Sequence, residues 1–328
     1  MAGDIWVLVE QWRGRVSDVT YEVLALGREV AAAAGAGLQA VLLGSGAGEA
    51  LPSLGAADGV LVAAHAALAE PDPNLYAQAL AQMIPQRQPR ALFIPQTNVT
   101  MEVGPLLAAR LGLPFVNSCR DISIADGRLT ARCVLYGGKV EAAVAPRGGP
   151  AVLGILPGAR PQEPGRVERT PPTTAVSVDL PAEPRVRFHG YTEPPPGDVD
   201  ITRENVLVSV GRGIQRGENV ALAEELAGAL GGAVCGSRPV IDQGWLSSSR
   251  QVGTSGMIVK PQLYLALGIS GAPEHVEGMK HAALIIAINS DPRAPIFSVA
   301  HYGVGADLFD IVPALIERVK AVRQKAAS

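Results

Sequence analysis

Short apolar runs alternate with stretches of helical spacing along most of the chain. IWVLVE (residues 5–10), LQAVLLG (38–44), GVLVAA (59–64) and ALFIP (91–95) are apolar at nearly every position, the pattern of strands buried on both faces. Residues 18–34 repeat apolar positions every three to four residues and predict a helix, with Gly35 and Gly37 as stop signals. PNLYAQALAQMI (73–84) and GPLLAARLG (104–112) predict two more helices. Strand–helix alternation of this kind builds right-handed crossover units and a mostly parallel sheet. DISIADGRLTARCVLYGGKVEAAV (121–144) instead predicts hairpin-like strands turning at Asp126-Gly127 and Gly137-Gly138.

The pattern then changes. Ten prolines fall between Pro157 and Pro196, and long apolar runs are scarce. This stretch is the best linker candidate; it is long for a loop, so parts of it are expected to lie as extended chain on a surface. VRFHGYT (186–192) is a candidate isolated strand within it. Alternation resumes with VLVSV (206–210), a helix over 218–230, then AVCGS, LYLALGIS and LIIAIN, and a C-terminal helical region (307–326) broken or bent near Pro313. The fold class expected is α/β, with two doubly wound, mostly parallel-sheet domains: residues 1–185, a linker over 186–202, and residues 203–328.

Composition narrows the functional classes. With 328 residues, 48% apolar and only 4% aromatic, the chain can bury two aliphatic cores. A net charge of −3 provides no broad basic face for nucleic acid. Cys119, Cys133 and Cys235 are far apart in sequence and form no CxxC pair, so they read as buried thiols in a reducing compartment. No apolar run is long enough for a membrane span, and the first residues lack signal-peptide character; a cytoplasmic protein is the expectation.

In doubly wound sheets, ligands sit beyond the carboxyl ends of the strands, so the residues that follow each strand of the second half carry the chemistry. After VLVSV comes GRGIQRG, whose Gly211, Gly213 and Gly217 nearly match the dinucleotide fingerprint; a glycine-rich turn with a solvated Arg212 is the plain alternative. After AVCG come Ser237 and Arg238, the latter suited to a planar or anionic ligand or to a surface turn. Gln251, Val252, Gly253, Thr254 and Ser255 form a turn offering hydroxyl and amide donors, a pattern that also fits an ordinary hairpin. GISGAPEH places Ser270, Gly271, Ala272, Pro273, Glu274 and His275 at a strand-to-helix turn. Proline suits the first helical position, and an imidazolium beside a helix N-terminus is disfavoured. Asn289 ends another strand, and Asp307 precedes a helix as an N-cap or as a contact to adenine or ribose.

Taken in order, GRG (211–213), GEN (217–219), GSR (236–238), the run from Gln251 to Met279, IAINSDPRAPIF (286–297) and YGVGADLFDIVP (302–313) resemble the FAD-binding domain of the electron transfer flavoprotein alpha subunit. The likeness covers the last third of the chain without large gaps. WVLVE (6–10) and ARLGLPFVNSCRDI (109–122) resemble that family's N-terminal domain more loosely. The resemblance implies one FAD in the C-terminal domain. Arg212 with Gly213, and Ser237, match cofactor contacts; Arg238 matches an arginine against the isoalloxazine. Gln251 to Thr254 lead to Ser255, which matches a threonine near the flavin N5. Ser270, Gly271, Ala272, Pro273, Glu274 and His275 run along the cofactor, the histidine near O2. Asn289 lies by the diphosphate portion, and Asp307 and Leu308 by the adenine. It further implies a heterodimer with a beta subunit carrying AMP or, in electron-bifurcating members, a second FAD. Acyl-CoA dehydrogenases and a quinone reductase or ferredoxin are implied as redox partners.

Three residues depart from the family pattern. Pro273-Glu274 replaces Ile-Gln, Ser255 replaces threonine, and His301 stands where aspartate is common. Two other readings remain at this point. An NAD(P)-dependent oxidoreductase would rest on GRGIQRG, which fails the fingerprint spacing and lacks the acidic residue expected further on. An adenine-nucleotide-binding module would use the N-terminal half, whose LLGSGAGEAL has no phosphate-loop lysine.

Overall fold

The computed structural model describes residues 3–46, 48–125, 127–136, 138–181, 186–191 and 198–327, with residues 326 and 327 described by backbone only. The chain divides into two compact units, residues 1–190 and 191–328.

The first unit contains β1 (Ile5–Leu8), a small hairpin of β2 (Gln11–Trp12) and β3 (Arg15–Val16), α1 (Asp18–Ala34), β4 (Leu38–Gly44), β5 (Gly59–Ala64), α2 (Pro73–Arg87), β6 (Ala91–Pro95), α3 (Val103–Leu111), β7 (Phe115–Ala125), β8 (Arg128–Leu135), β9 (Val140–Val144), β10 (Ala151–Ile155) and β11 (Thr173–Ala175). Nine strands form one sheet in the order β11-β5-β4-β1-β6-β10-β7-β8-β9. The pairs from β11 to β7 are parallel, and β8 and β9 extend the sheet antiparallel. Strands apolar at every position are needed because both faces are covered. Ile5 and Val7 face the layer holding α1, whereas Trp6 and Leu8 face α2 and α3. Each fully buried Leu or Val contributes about 1.5–3 kcal/mol relative to an exposed one.

Helix boundaries follow local chemistry. Gly35 ends α1 in the left-handed conformation, its N–H reaching the Ala31 and Ala32 carbonyls. Asp72 caps α2 by accepting from the Asn74 and Leu75 amides. The hairpin strands form as expected; Gly127 and Gly138 have positive φ, while Asp126 and Gly137 lie outside the described residues. Two features were not read from the pattern. Ala151–Ile155 is a buried central strand, and Thr173–Ala175, inside the proline-rich stretch, adds a parallel edge strand beside β5. Cys119 and Cys133, distant in sequence, face each other across β7 and β8 as free thiols, and burial pushes Cys119 up to about 12.

The second unit contains β12 (Val206–Val210), α4 (Val220–Leu230), β13 (Ala233–Gly236), α5 (Arg238–Asp242), β14 (Leu263–Leu267), α6 (Pro273–Met279), β15 (Leu284–Ile288), β16 (Tyr302–Val304) and α7 (Leu308–Ala327). Its five strands are all parallel, in the order β13-β12-β14-β15-β16. α4 and α7 cover one face, and α6 with the 251–259 segment covers the other. α7 runs through Pro313 as one helix rather than breaking there. Ile201 is buried in this unit's core and Asp198 pairs with Arg250, so the unit recruits residues from within the 186–202 stretch. The described part of VRFHGYT, residues 186–191, forms no strand, and Thr192 lies outside the described residues. Among the described residues, no helix is long and apolar enough to cross a membrane.

Candidate functional site

The second sheet is wound outward in both directions from β12 and β14, which makes their junction the topological switch point where doubly wound sheets bind ligands. The two loops leaving these strands are pressed together backbone to backbone. The Gly211 amide donates to the Leu267 carbonyl at 2.8 Å and the Gly213 amide to the Gly268 carbonyl at 3.1 Å. A side chain at Gly211 would meet the Gly268 carbonyl oxygen at 2.3 Å, and one at Gly213 would meet the Gly268 Cα at 2.7 Å. These glycines therefore serve close packing between loops. Their amides are already engaged in these bonds, which weakens the NAD(P) reading, since that fingerprint needs amides free to face a pyrophosphate.

The remaining loops at this end of the sheet are tied into the same framework. Val252 N–H donates to the Gly236 carbonyl and Thr254 N–H to the Glu274 carbonyl, each at 2.9 Å. Ile296 N–H donates to the Ser270 carbonyl at 3.0 Å. Gly271 has φ +87°, and a Cβ there would lie 2.2 Å from the Ile296 nitrogen, so only glycine allows this crossing. Asn289 bridges two loops, donating from Nδ2 to the Ile269 carbonyl at 2.8 Å and accepting from the Asp291 amide at 2.9 Å. Asp307 accepts from the Phe309 amide at 3.0 Å, the plain capping arrangement, and Leu308 is buried under it.

Side chains divide sharply by exposure. Arg212, Arg238, Thr254, Ser255, Ser270, Ala272, Pro273, Glu274 and Asp307 reach solvent. Arg238 lies 3.6 Å from Asp242, an exposed pair of small energetic weight. Ser237, Gln251, Val252 and His275 are buried. Gln251 donates from Nε2 to the Ser255 hydroxyl at 2.9 Å, which fixes an exposed hydroxyl from beneath.

His275 is only 6% exposed. Its Nε2 lies 2.9 Å from the phenol oxygen of Tyr264, itself fully buried in β14, and its buried Nδ1 has no hydrogen-bond partner among the described residues. Burial lowers its pKa to about 4, opposed by the neighbouring Val252 backbone. The sequence expectation of a disfavoured imidazolium holds in direction, but its first cause is desolvation rather than the helix end. At neutral pH this ring acts as a neutral hydrogen-bonding group, not as a positive charge.

A model of the electron transfer flavoprotein domain matches residues 5–181, and one of the electron transfer flavoprotein FAD-binding domain matches residues 200–280. The chain is 36% identical to Protein FixB of Clostridium saccharobutylicum, over 97% of this chain and 96% of that one. It is 35% identical to the electron transfer flavoprotein subunit alpha of Clostridium acetobutylicum, over 97% of each. The acryloyl-CoA reductase electron transfer subunit beta of Anaerotignum propionicum is 35% identical over 97% of this chain and 95% of its own. The chain belongs to the electron transfer flavoprotein alpha-subunit family. It is an FAD-dependent electron-transfer subunit whose cofactor domain lies in the second unit.

The residues present fit a flavin nucleotide. A buried imidazole nitrogen lacks a partner, hydroxyls and guanidinium groups are exposed on loops held by glycine crossings, and Gln251 supports Ser255 from below. Sequence reasoning singled out these loops as the candidate site but treated Tyr264 only as part of an apolar strand. A tyrosine inside such a run was the available signal, since a buried phenol needs a polar partner. His301, without an evident role in the sequence, accepts the Ile285 amide at 3.0 Å through Nδ1, so it fastens the start of β16 to β15.

Proposed function

We propose that FAD lies along the carboxyl ends of β12 to β16 in the second unit, against Arg212, Gly213, Ser237 and Arg238, the 251–255 turn and the 270–275 turn, with Asn289, Asp307 and Leu308 toward the adenine end. The observation that carries this reading is the glycine-mediated stitching of five strand-end loops, which exposes hydroxyls and guanidinium groups above a buried imidazole. Bound FAD supplies the one- and two-electron chemistry, so the chain needs no nucleophile or general base. Arg238 places positive charge over the site, which favours the reduced cofactor. Ser255 offers a hydroxyl held in place by Gln251. His275 offers a neutral N–H rather than a charge.

The chain works as one half of a heterodimer with an electron transfer flavoprotein beta subunit, which binds AMP or a second FAD. Its redox partners are a flavin dehydrogenase acting on acyl-CoA compounds and a quinone reductase or ferredoxin-linked acceptor. Support for the acyl-CoA side comes from the relative named for acryloyl-CoA reductase. Purified with its beta partner, the chain is expected to be yellow and to exchange electrons with an acyl-CoA dehydrogenase. A colourless complex that takes up no FAD would contradict the proposed site. One FAD per heterodimer identifies a simple carrier, and two identify a bifurcating complex.

A further inference from the structure

Beneath the strand-end loops lies a buried polar cluster that none of the roles above uses. Ser209 on β12, Cys235 on β13 and Tyr264 on β14 are all fully buried, and the Tyr264 phenol connects this layer to His275 on α6. Strand registry explains the grouping. Ser209 is opposite Cys235, and Leu207, two residues earlier on the same face, is opposite Tyr264. Ser209 Oγ makes no hydrogen bond of normal geometry among the described residues, yet it lies near enough to the phenol to influence its ionisation. Burying a tyrosine hydroxyl, a serine hydroxyl and an imidazole in an aliphatic core is costly unless they satisfy one another.

A neutral imidazole carries one N–H, and its two nitrogens play opposite roles. The Val252 backbone beside the ring favours a protonated nitrogen there. Nε2 is already engaged by the Tyr264 oxygen, so the proton belongs on Nδ1, which makes no hydrogen bond of normal geometry among the described residues but has the Val252 backbone as its nearest acceptor. Tyr264 must then be the donor and Nε2 the acceptor. Burial holds the phenol well above its ordinary pKa, which keeps its proton available for this bond.

We propose that Tyr264 is a positioning residue for His275: its phenol donates to Nε2 and locks the imidazole as the Nδ1–H tautomer, so that the ring beneath the proposed flavin site keeps one protonation pattern and one orientation. The proposal rests on the flavin reading only for what the fixed ring serves; the Tyr264–His275 bond itself is independent of that reading.

The test is the tautomer of His275, read from nitrogen-15 chemical shifts of the full chain in its heterodimer, in the wild type and in Tyr264→Phe. The wild type is expected to show a protonated Nδ1 and an unprotonated, hydrogen-bonded Nε2 near neutral pH. Tyr264→Phe, which keeps the ring and removes only the hydroxyl, is expected to give a mixture of tautomers and a lower flavin midpoint potential. Ser209→Ala is expected to leave the tautomer unchanged. A wild-type ring protonated at Nε2 overturns the proposal whether or not the variant folds. So does a Tyr264→Phe spectrum with the wild-type tautomer. A complex lacking flavin would count against the cofactor reading alone, because the tautomer is measured on the protein.

Discussion

The two units place very different chemistry at the same topological position. In the first sheet the switch point lies between β1 and β6, and in the second between β12 and β14. The first is filled by side chains. Glu10, just beyond β1, accepts hydrogen bonds from Thr97 and from Thr100 (3.1 Å) just beyond β6, and Thr20 bonds its backbone from α1 at 3.0 and 3.1 Å. A carboxylate there repels phosphate, and its hydroxyl partners are already committed. The second is filled by glycine backbone, which leaves guanidinium and hydroxyl side chains facing outward. Two similar sheets thus differ in whether their strand ends are closed by internal hydrogen bonds or left open by small residues. This difference, rather than fold, agrees with the match of the FAD-binding domain model to residues 200–280.

The strongest way to break the comparison is Gly271→Val. Valine would take a φ of +87° and collide with the Ile296 backbone, destabilising the second unit by on the order of 3 kcal/mol or more. Calorimetry of the complex should show the second unit's transition lowered, flavin lost and the first unit's transition unchanged. A pH series gives an effect of similar size. The unfolded chain binds a proton to His275 near pH 6.5, while the folded one resists until about pH 4. Stability from this residue is therefore complete above 6.5 and is lost as pH falls toward 4, by on the order of 3 kcal/mol. His275→Gln should flatten that part of the acid limb in denaturant titrations. If it leaves the slope unchanged, the imidazole is not buried as described.

Glu10→Ala should cost the first unit about 1–3 kcal/mol by removing the acceptor that the Thr97 and Thr100 hydroxyls share, Thr100 keeping only the Pro95 carbonyl, with flavin content unchanged. Loss of flavin in this variant would erase the contrast between the units. Glu274→Gln has the smallest expected effect, because the carboxylate is exposed on the first turn of α6. A slight rise in flavin potential by spectroelectrochemistry places it within reach of the cofactor, and a fall contradicts that.

Much of this architecture is visible in the residue pattern, because fully apolar runs and glycine stops are local. The helix over 18–34 and the strands over 38–44, 59–64 and 91–95 coincide with their sequence readings. β10 escaped because AVLGI is short and sits between a glycine-proline turn and the proline-rich stretch; only its neighbours β6 and β7 make it a strand. β11 and β16, three residues each, likewise depend on pairing rather than propensity. At the site, residue types were legible, but their contacts were not. That Gly211 and Gly213 bind the 267–268 backbone, and that His275 points to Tyr264, are facts of tertiary packing.

The most direct test compares FAD dissociation constants of the heterodimer for Arg238→Ala/Ser255→Ala in the second unit and Glu10→Gln in the first. Both double-variant positions are exposed, so the fold should survive. Loss of a charged and a hydroxyl contact is expected to weaken FAD binding at this chain by tenfold or more, with Glu10→Gln indistinguishable from wild type. Unchanged binding in the double variant, or weakened binding in Glu10→Gln, would contradict the assignment of the cofactor to the second unit's open strand ends.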